Sequence, residues 1–162
     1  MKAYALCLLI FLLVPAAGQA YCFKEAGEAM KIDPLLLLAF AIQESHLNSK
    51  AIGVNKPDTK GLITYDYGLM QINSRNVDSI FRHFGIDKNV LLRNPCINVY
   101  AGAYILRRNF DQYGVNWFSV GAYNAGVKQT PKQERKRQKY AKQVRSIYMK
   151  LQEMDRVRKI DL

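Results

Sequence analysis

The chain has 162 residues, with 24 Lys and Arg against 13 Asp and Glu, a formal charge of +11 and a hydrophobic content of 49%. That length fits one domain without room for two independent cores, and the ordinary apolar fraction, with 7 Phe, 10 Tyr and 1 Trp, excludes wholesale disorder. Three cysteines are too few for a disulfide-dense scaffold and too widely spaced for a zinc module.

The N-terminus reads as an address. Met1-Lys2 supplies a positive start, Leu6 to Val14 an apolar run, Pro15 a break, and Gly18-Gln19-Ala20 the small residues that a signal peptidase reads. We therefore expect a signal peptide over 1–20, cleaved after Ala20, and a periplasmic protein. A membrane anchor is the alternative, but the run is short for a hydrocarbon layer of about 30 Å. A lipoprotein anchor is disfavoured by Leu6 before Cys7 and Tyr21 before Cys22. Cleavage would leave Cys22 and Cys96, and an even pair in an exported protein reads as one disulfide. Closing a loop of about 75 residues is worth at most about 4 kcal/mol in the chain-entropy model. The alternative, a reactive or metal-binding thiol, lacks a nearby His or Cys partner.

The rest of the chain predicts an all-α domain over 21–150 with a small loop or hairpin region, followed by a basic tail over 151–162. Phe23 to Lys31 is a short amphipathic segment. Asp33-Pro34 is an N-cap followed by proline at the first helical position, and Leu35 to Glu44 continues as a helix apolar all round, hence central and buried. From Asn48 to Asp66 the composition is that of a loop, with a hairpin expected around Lys60-Gly61. A helix is expected over Ser74 to Phe84. Another opens at Asn94-Pro95, carries Ile97, Tyr100, Ala101, Tyr104 and Ile105 at helical spacing, and ends at Gly114. A short helix covers Trp117 to Asn124. The last starts near Pro131, with Tyr140, Val144, Ile147, Tyr148 and Leu151 on one apolar face. No GxGxxG motif, P-loop or repeat is present, and neither a cofactor nor a metal is expected.

Glu44 is the first candidate for chemistry. It stands at the C-terminal end of the most apolar helix, where desolvation and the helix dipole both disfavour its charge and raise its pKa. A carboxylic acid still protonated near neutral pH can protonate a glycosidic oxygen. The bland alternative is that Glu44 is merely the first exposed residue as the helix emerges.

The surrounding motifs carry a resemblance. Glu44-Ser45-His46-Leu47-Asn48 is similar to the E-S-x-x-N motif of the lysozyme-like lytic transglycosylases of the soluble (SLT) type. Tyr67-Gly68-Leu69-Met70-Gln71-Ile72-Asn73 resembles their G-L-M-Q-I motif, Ala122-Tyr123-Asn124-Ala125-Gly126 their A-Y-N-A-G, and Tyr140 with Val144 their Y-x-x-x-V. The four lie in family order and span Ile32 to Val144. The short exported form resembles the specialised transglycosylases of secretion, conjugation and pilus systems.

The resemblance implies a lysozyme-like fold and cleavage of peptidoglycan between N-acetylmuramic acid and N-acetylglucosamine. Glu44 would serve as acid and then base, and the muramic C6 hydroxyl would close a 1,6-anhydro product, so one carboxylate suffices. Ser45 and Gln71 would hydrogen-bond around the acid or the sugar, and Met70 would pack beneath the sugar. Tyr123 and Asn124 would line the cleft, and Tyr140 would set the protonation of Glu44. Asn73 is assigned to substrate binding within the second motif. Met70 and Tyr123 as core residues, and Asn48 and Asn73 as helix caps, are the structural alternatives. Asp66 is a candidate second carboxylate, as in hydrolysing lysozymes; a turn residue capping the loop is the alternative, preferred at this point, and more strongly so for Asp58. His46 and His83 are isolated and read as surface residues.

The charge is local. Residues 128–162 carry +8 and residues 21–127 only +2. The basic run through Lys139 suggests nucleic acid, but export and the lack of interleaved aromatics argue against it. Anionic envelope surfaces, stem-peptide carboxylates or an acidic patch on a secretion-, conjugation- or pilus-apparatus protein are the expected partners; a plain solvated helix face is the alternative. A monomer is expected. Two rival functions remain at this point: a hydrolase using Asp66, and a non-catalytic glycan-binding or scaffold module.

Overall fold

The computed structural model describes residues 21–157; the expected signal peptide and residues 158–162 lie outside the described residues. Helix α1 (Phe23–Met30) leads into α2 (Pro34–Ser45), whose first turn is capped by the Asp33 carboxylate accepting from the Leu35 N–H at 2.8 Å. Leu35, Leu36, Leu37, Ala39, Phe40 and Ala41 are all buried, so α2 is a core helix on every side. It stops where His46 and Leu47 both take left-handed backbone, φ 52° and 63°.

A three-stranded antiparallel sheet follows, β1 (Ile52–Val54), β2 (Tyr65–Tyr67) and β3 (Ile72–Asn73), in the order β1-β2-β3. Its register aligns Gly53, Asp66 and Asn73 across the three strands. The expected hairpin is there: the connection between β1 and β2 turns at Gly61 (φ +76°), with the Asp58 carboxylate accepting from the N–H groups of Lys60 and Leu62 at 2.8 and 3.0 Å. The loop-capping role therefore belongs to Asp58, and Asp66 sits in a strand.

Residues 74–84 are less regular than the single helix their pattern predicts. A turn of α-helix, α3 (Ser74–Asn76), widens into a π-helical turn at Val77–Phe81 and tightens into a 3₁₀ turn at Arg82–Phe84. Ser, Asn and Asp side chains compete with the backbone ladder in this stretch; the Ser79 hydroxyl donates to the Arg75 carbonyl at 2.7 Å. Helix α4 (Lys88–Arg93) is capped by Asp87, which accepts from the N–H groups of Asn89 and Val90. At six residues it is too short to display a period, and the sequence pattern does not announce it.

Helices α5 (Pro95–Tyr113), α6 (Trp117–Ala125) and α7 (Pro131–Arg156) start at Asn94, Asn116 and Thr130 side-chain caps. Helix α7 continues past residue 150, where the basic tail is expected to begin, and buries Leu151. It packs across α6 and α2 through Tyr140, Ala141 and Val144. The Cys22–Cys96 disulfide, Cα–Cα 5.1 Å, ties the residue before α1 to the first turn of α5. One core fills the space between helices and sheet, centred on Phe40, Leu37, Leu69, Met70, Leu91 and Leu106.

Candidate active site

Glu44 is the penultimate residue of α2 and half-buried. The Tyr140 hydroxyl, brought over by α7, donates a hydrogen bond to Glu44 Oε1. Phe40, one turn earlier on α2, braces both aromatic neighbours of the acid, with ring centroids 4.8 Å from Tyr123 and 6.0 Å from Tyr140. Burial raises the Glu44 pKa to about 7; the Tyr140 hydrogen bond opposes this, and the negative charge of Asp66 adds to it. Burial also raises the Tyr123 and Tyr140 hydroxyls well above the ordinary phenol range, so both remain donors.

A cleft of about 350 Å³ opens from Glu44, walled by the sheet on one side and by α5 and α6 on the other. From the strands come Asp66 and Asn73 and from the residues flanking them Asn55, Thr64 and Gln71, and from α6 Tyr123 and Asn124. Asp66 is fixed by two amides, Asn55 Nδ2 and Asn73 Nδ2, each donating to one carboxylate oxygen at 2.7 Å. Gly53 makes this convergence feasible. A Cβ there would stand 2.7 Å from Gln71 Oε1 and 3.4 Å from Asp66 Cβ. Gln71 adopts left-handed backbone, φ 48°, which disfavours non-glycine residues. Its amide nitrogen folds back to the Gly68 and Ala51 carbonyls at 2.9 and 3.3 Å.

The expected site residues thus divide in two. Glu44, Asp66, Gln71, Asn73, Tyr123 and Asn124 share the cleft wall, and Tyr140 reaches it through Glu44. Ser45 and Met70 do not face it. Ser45 is buried and donates to the Leu69 carbonyl at 2.9 Å, joining the end of α2 to the turn before β3. Met70 is fully buried, seated against Gly102 of α5, where a Cβ would meet its side chain at 2.7 Å. Its backbone links the cleft walls, because the Met70 carbonyl accepts from the Tyr123 hydroxyl at 2.8 Å. Asn73 takes the capping role, its side chain accepting from the Arg75 N–H at 3.0 Å at the start of α3, and it also donates to Asp66 on the cleft wall.

Among the described residues no group of three His, Cys, Asp or Glu side chains converges to hold a metal. The chemistry available is that of the Glu44 carboxyl, raised to a pKa of about 7, a second carboxyl at Asp66, and a wall of amides and phenols that can donate to and accept from a polar ligand.

Residues 21–146 match the family model described as Transglycosylase SLT domain. The chain belongs to the transglycosylase SLT domain family. It is 38% identical over 135 residues to a peptidoglycan-binding-like protein of Escherichia coli O157:H7, covering 83% of this chain and 80% of that one. To the invasion protein IagB of Salmonella typhi it is 40% identical over 151 residues, covering 93% and 89%. An inactive mutant of the lytic transglycosylase Slt from Pseudomonas aeruginosa shares the fold at a TM-score of 0.62 and 22% identity; the match covers 91% of this chain and a quarter (25%) of that longer one.

In this SLT domain one buried polar residue escaped the sequence patterns. Asn98 on α5 is fully buried, accepts from the Met70 N–H at 2.8 Å, and donates to the Tyr67 and Leu91 carbonyls at 2.8 and 3.2 Å. It holds both ends of the Gly68–Gln71 turn. The signal available in the sequence was an asparagine among the apolar positions of α5.

Proposed function

We propose that this SLT domain cleaves the β-1,4 bond between N-acetylmuramic acid and N-acetylglucosamine in peptidoglycan and releases a 1,6-anhydromuramic end. The observation that carries the reading is Glu44, a half-buried carboxyl with a pKa near 7 on the wall of a polar cleft. Its proton would pass to the glycosidic oxygen as the C1–O bond breaks, freeing the 4-hydroxyl of the departing sugar. The resulting carboxylate would then take the proton of the muramic C6 hydroxyl as that oxygen bonds to C1. Glu44 returns to its protonated form, and no water is consumed.

The substrate's own acetamide group can support the positive charge at C1, as in substrate-assisted glycosidases. Asn124, exposed on the cleft wall, offers a donor and an acceptor to such a group. Family membership and a relative called peptidoglycan-binding-like both support the choice of substrate. On this reading the protein acts in the periplasm, delivered by the signal peptide over 1–20. The relative called an invasion protein supports service to a secretion, conjugation or pilus apparatus.

Asp66 favours a second reading, hydrolysis. Fixed in the same cleft by Asn55 and Asn73, it is available to orient a water toward C1. Mass analysis of peptidoglycan digests separates the two. Transglycosylation yields muramic ends lighter by one water than the reducing ends that hydrolysis leaves, and reducing ends alone would overturn the first reading.

A further inference from the structure

A second depression of about 330 Å³ meets the cleft at Glu44. It shares only Glu44 and Asn124 with the first, and its other walls are Gln43 of α2 with Lys136, Lys139, Tyr140 and Gln143 of α7. The acid therefore stands where the two depressions join, and an extended glycan lying in one and continuing into the other passes over it. The two halves differ in charge. The first carries Asp66 and Arg75, the latter paired with Asp58 at 2.5 Å. Apart from Glu44 itself, the second contains two lysines, three amides and the Tyr140 phenol, and no other acidic group.

Lys136, Lys139 and Gln143 recur at intervals of three and four, which places them on one face of α7. Both lysines are exposed, and among the described residues neither has an ion-pair partner. Lys132, Arg135, Lys142 and Lys150 of α7 also lack an ion-pair partner among the described residues but do not line this depression, and two further cations of the helix are engaged elsewhere. Arg137 is buried against Glu134 and the Gly126 and Lys128 carbonyls, and the Arg145 guanidinium lies over the Trp117 ring.

A neutral sugar gives two free ammonium groups nothing to pair with. The muramic residues of a glycan strand, however, carry peptides rich in carboxylates, and these project from alternate sugars. We infer that the Lys136–Lys139 depression is a subsite for the anionic stem peptide, so that the enzyme prefers strands still carrying their peptides. This rests on the glycan reading above and adds to it the substrate class for one half of the cleft.

The test compares two substrates, peptidoglycan strands with stem peptides and the same strands stripped by an amidase. In the Lys136→Ala/Lys139→Ala double variant, the ratio of kcat/KM on stem-bearing to stripped strands is expected to fall about tenfold, carried by KM; two exposed ion pairs together have about that effect. Arginine at both positions restores the ratio, and raised salt lowers it in the wild type. An unchanged ratio overturns the inference. So does an equal fall in the control pair Lys142→Ala/Lys150→Ala, because the general charge of α7 would then account for it. Sedimentation with stem-bearing and stripped strands, in a Glu44→Gln background, keeps the two readings separate. Loss of stem-dependent binding in the lysine variant supports the subsite even where the wild type cleaves neither substrate. Loss of binding to anionic lipid vesicles, with the strand preference intact, assigns the lysines to a membrane surface and overturns it.

Discussion

The carboxyl of Glu44 is held between opposing influences. Burial and the Asp66 charge raise its pKa to about 7, while the hydrogen bond donated by Tyr140 favours the ionised form. Two consequences follow at this one residue. Activity that needs a protonated acid should decline as pH rises through 7, and Tyr140→Phe should carry that alkaline limb to higher pH, because it deletes the only one of these influences that lowers the pKa. A pH–rate profile of kcat/KM checks this, and an unshifted limb would detach Tyr140 from the acid. Glu44→Gln should reduce turnover by about 10²- to 10⁴-fold, the usual range for a lost general acid. It should also stabilise the fold at alkaline pH. The native protein binds a proton that the unfolded chain releases near the ordinary glutamate pKa of 4.5, so stability present below that pH is lost as pH climbs through about 7. At 1.36 kcal/mol per pKa unit the difference amounts to about 3 kcal/mol. Denaturant melts of wild type and Glu44→Gln at pH 4 and pH 8 should diverge by that order, with the variant gaining.

At the scale of elements, the cleft depends on a turn that has little side-chain surface of its own. Gly68 stands at φ +76°, where a Cβ would lie 2.2 Å from Asn98 Nδ2, and Gln71 closes the turn in left-handed backbone. Asn98 ties this turn to α5 through three hydrogen bonds. Asn98→Ala would leave the Met70 N–H and the Tyr67 and Leu91 carbonyls buried without that partner, for a loss of about 3 kcal/mol. Activity should fall with it as the turn relaxes, and urea unfolding alongside turnover measures both; a loss below 1 kcal/mol would remove Asn98 from the turn's support. This arrangement also explains which parts of the molecule were legible beforehand. Helices α2 and α5 announce themselves by Asp33-Pro34 and Asn94-Pro95 at their starts, and α5 and α7 by apolar spacing, all local properties, whereas the Asn116 and Thr130 caps emerge only from the structure. The placement of Asp66 is not local: it depends on strand register with Gly53 and Asn73 and on two amides from outside its own strand. The motif residues likewise marked the cleft without distinguishing side chains that line it, such as Tyr123, from those that build it, such as Ser45 and Met70.

Across the whole molecule, stability and chemistry are carried by separate regions. The Cys22–Cys96 disulfide joins the start of the described chain to α5, and neither cysteine contributes to the cleft wall. Its sequence separation of 74 closes most of the domain's N-terminal half, including α2 and the entire sheet. In the chain-entropy model a loop of that length stabilises by at most about 4 kcal/mol, chiefly by restricting the unfolded chain. That is a large share of the roughly 5–15 kcal/mol typical of a domain. Reduction, or the Cys22→Ser/Cys96→Ser variant, should therefore lower the urea midpoint strongly while leaving kcat close to wild type at temperatures where the protein remains folded. The bond should matter most where the folded state is already strained by an ionised Glu44, above pH 7. Urea melts with and without reductant, paired with turnover in the folded range, test the separation. A fall in kcat at unchanged folded fraction would show instead that the bond shapes the cleft through α5.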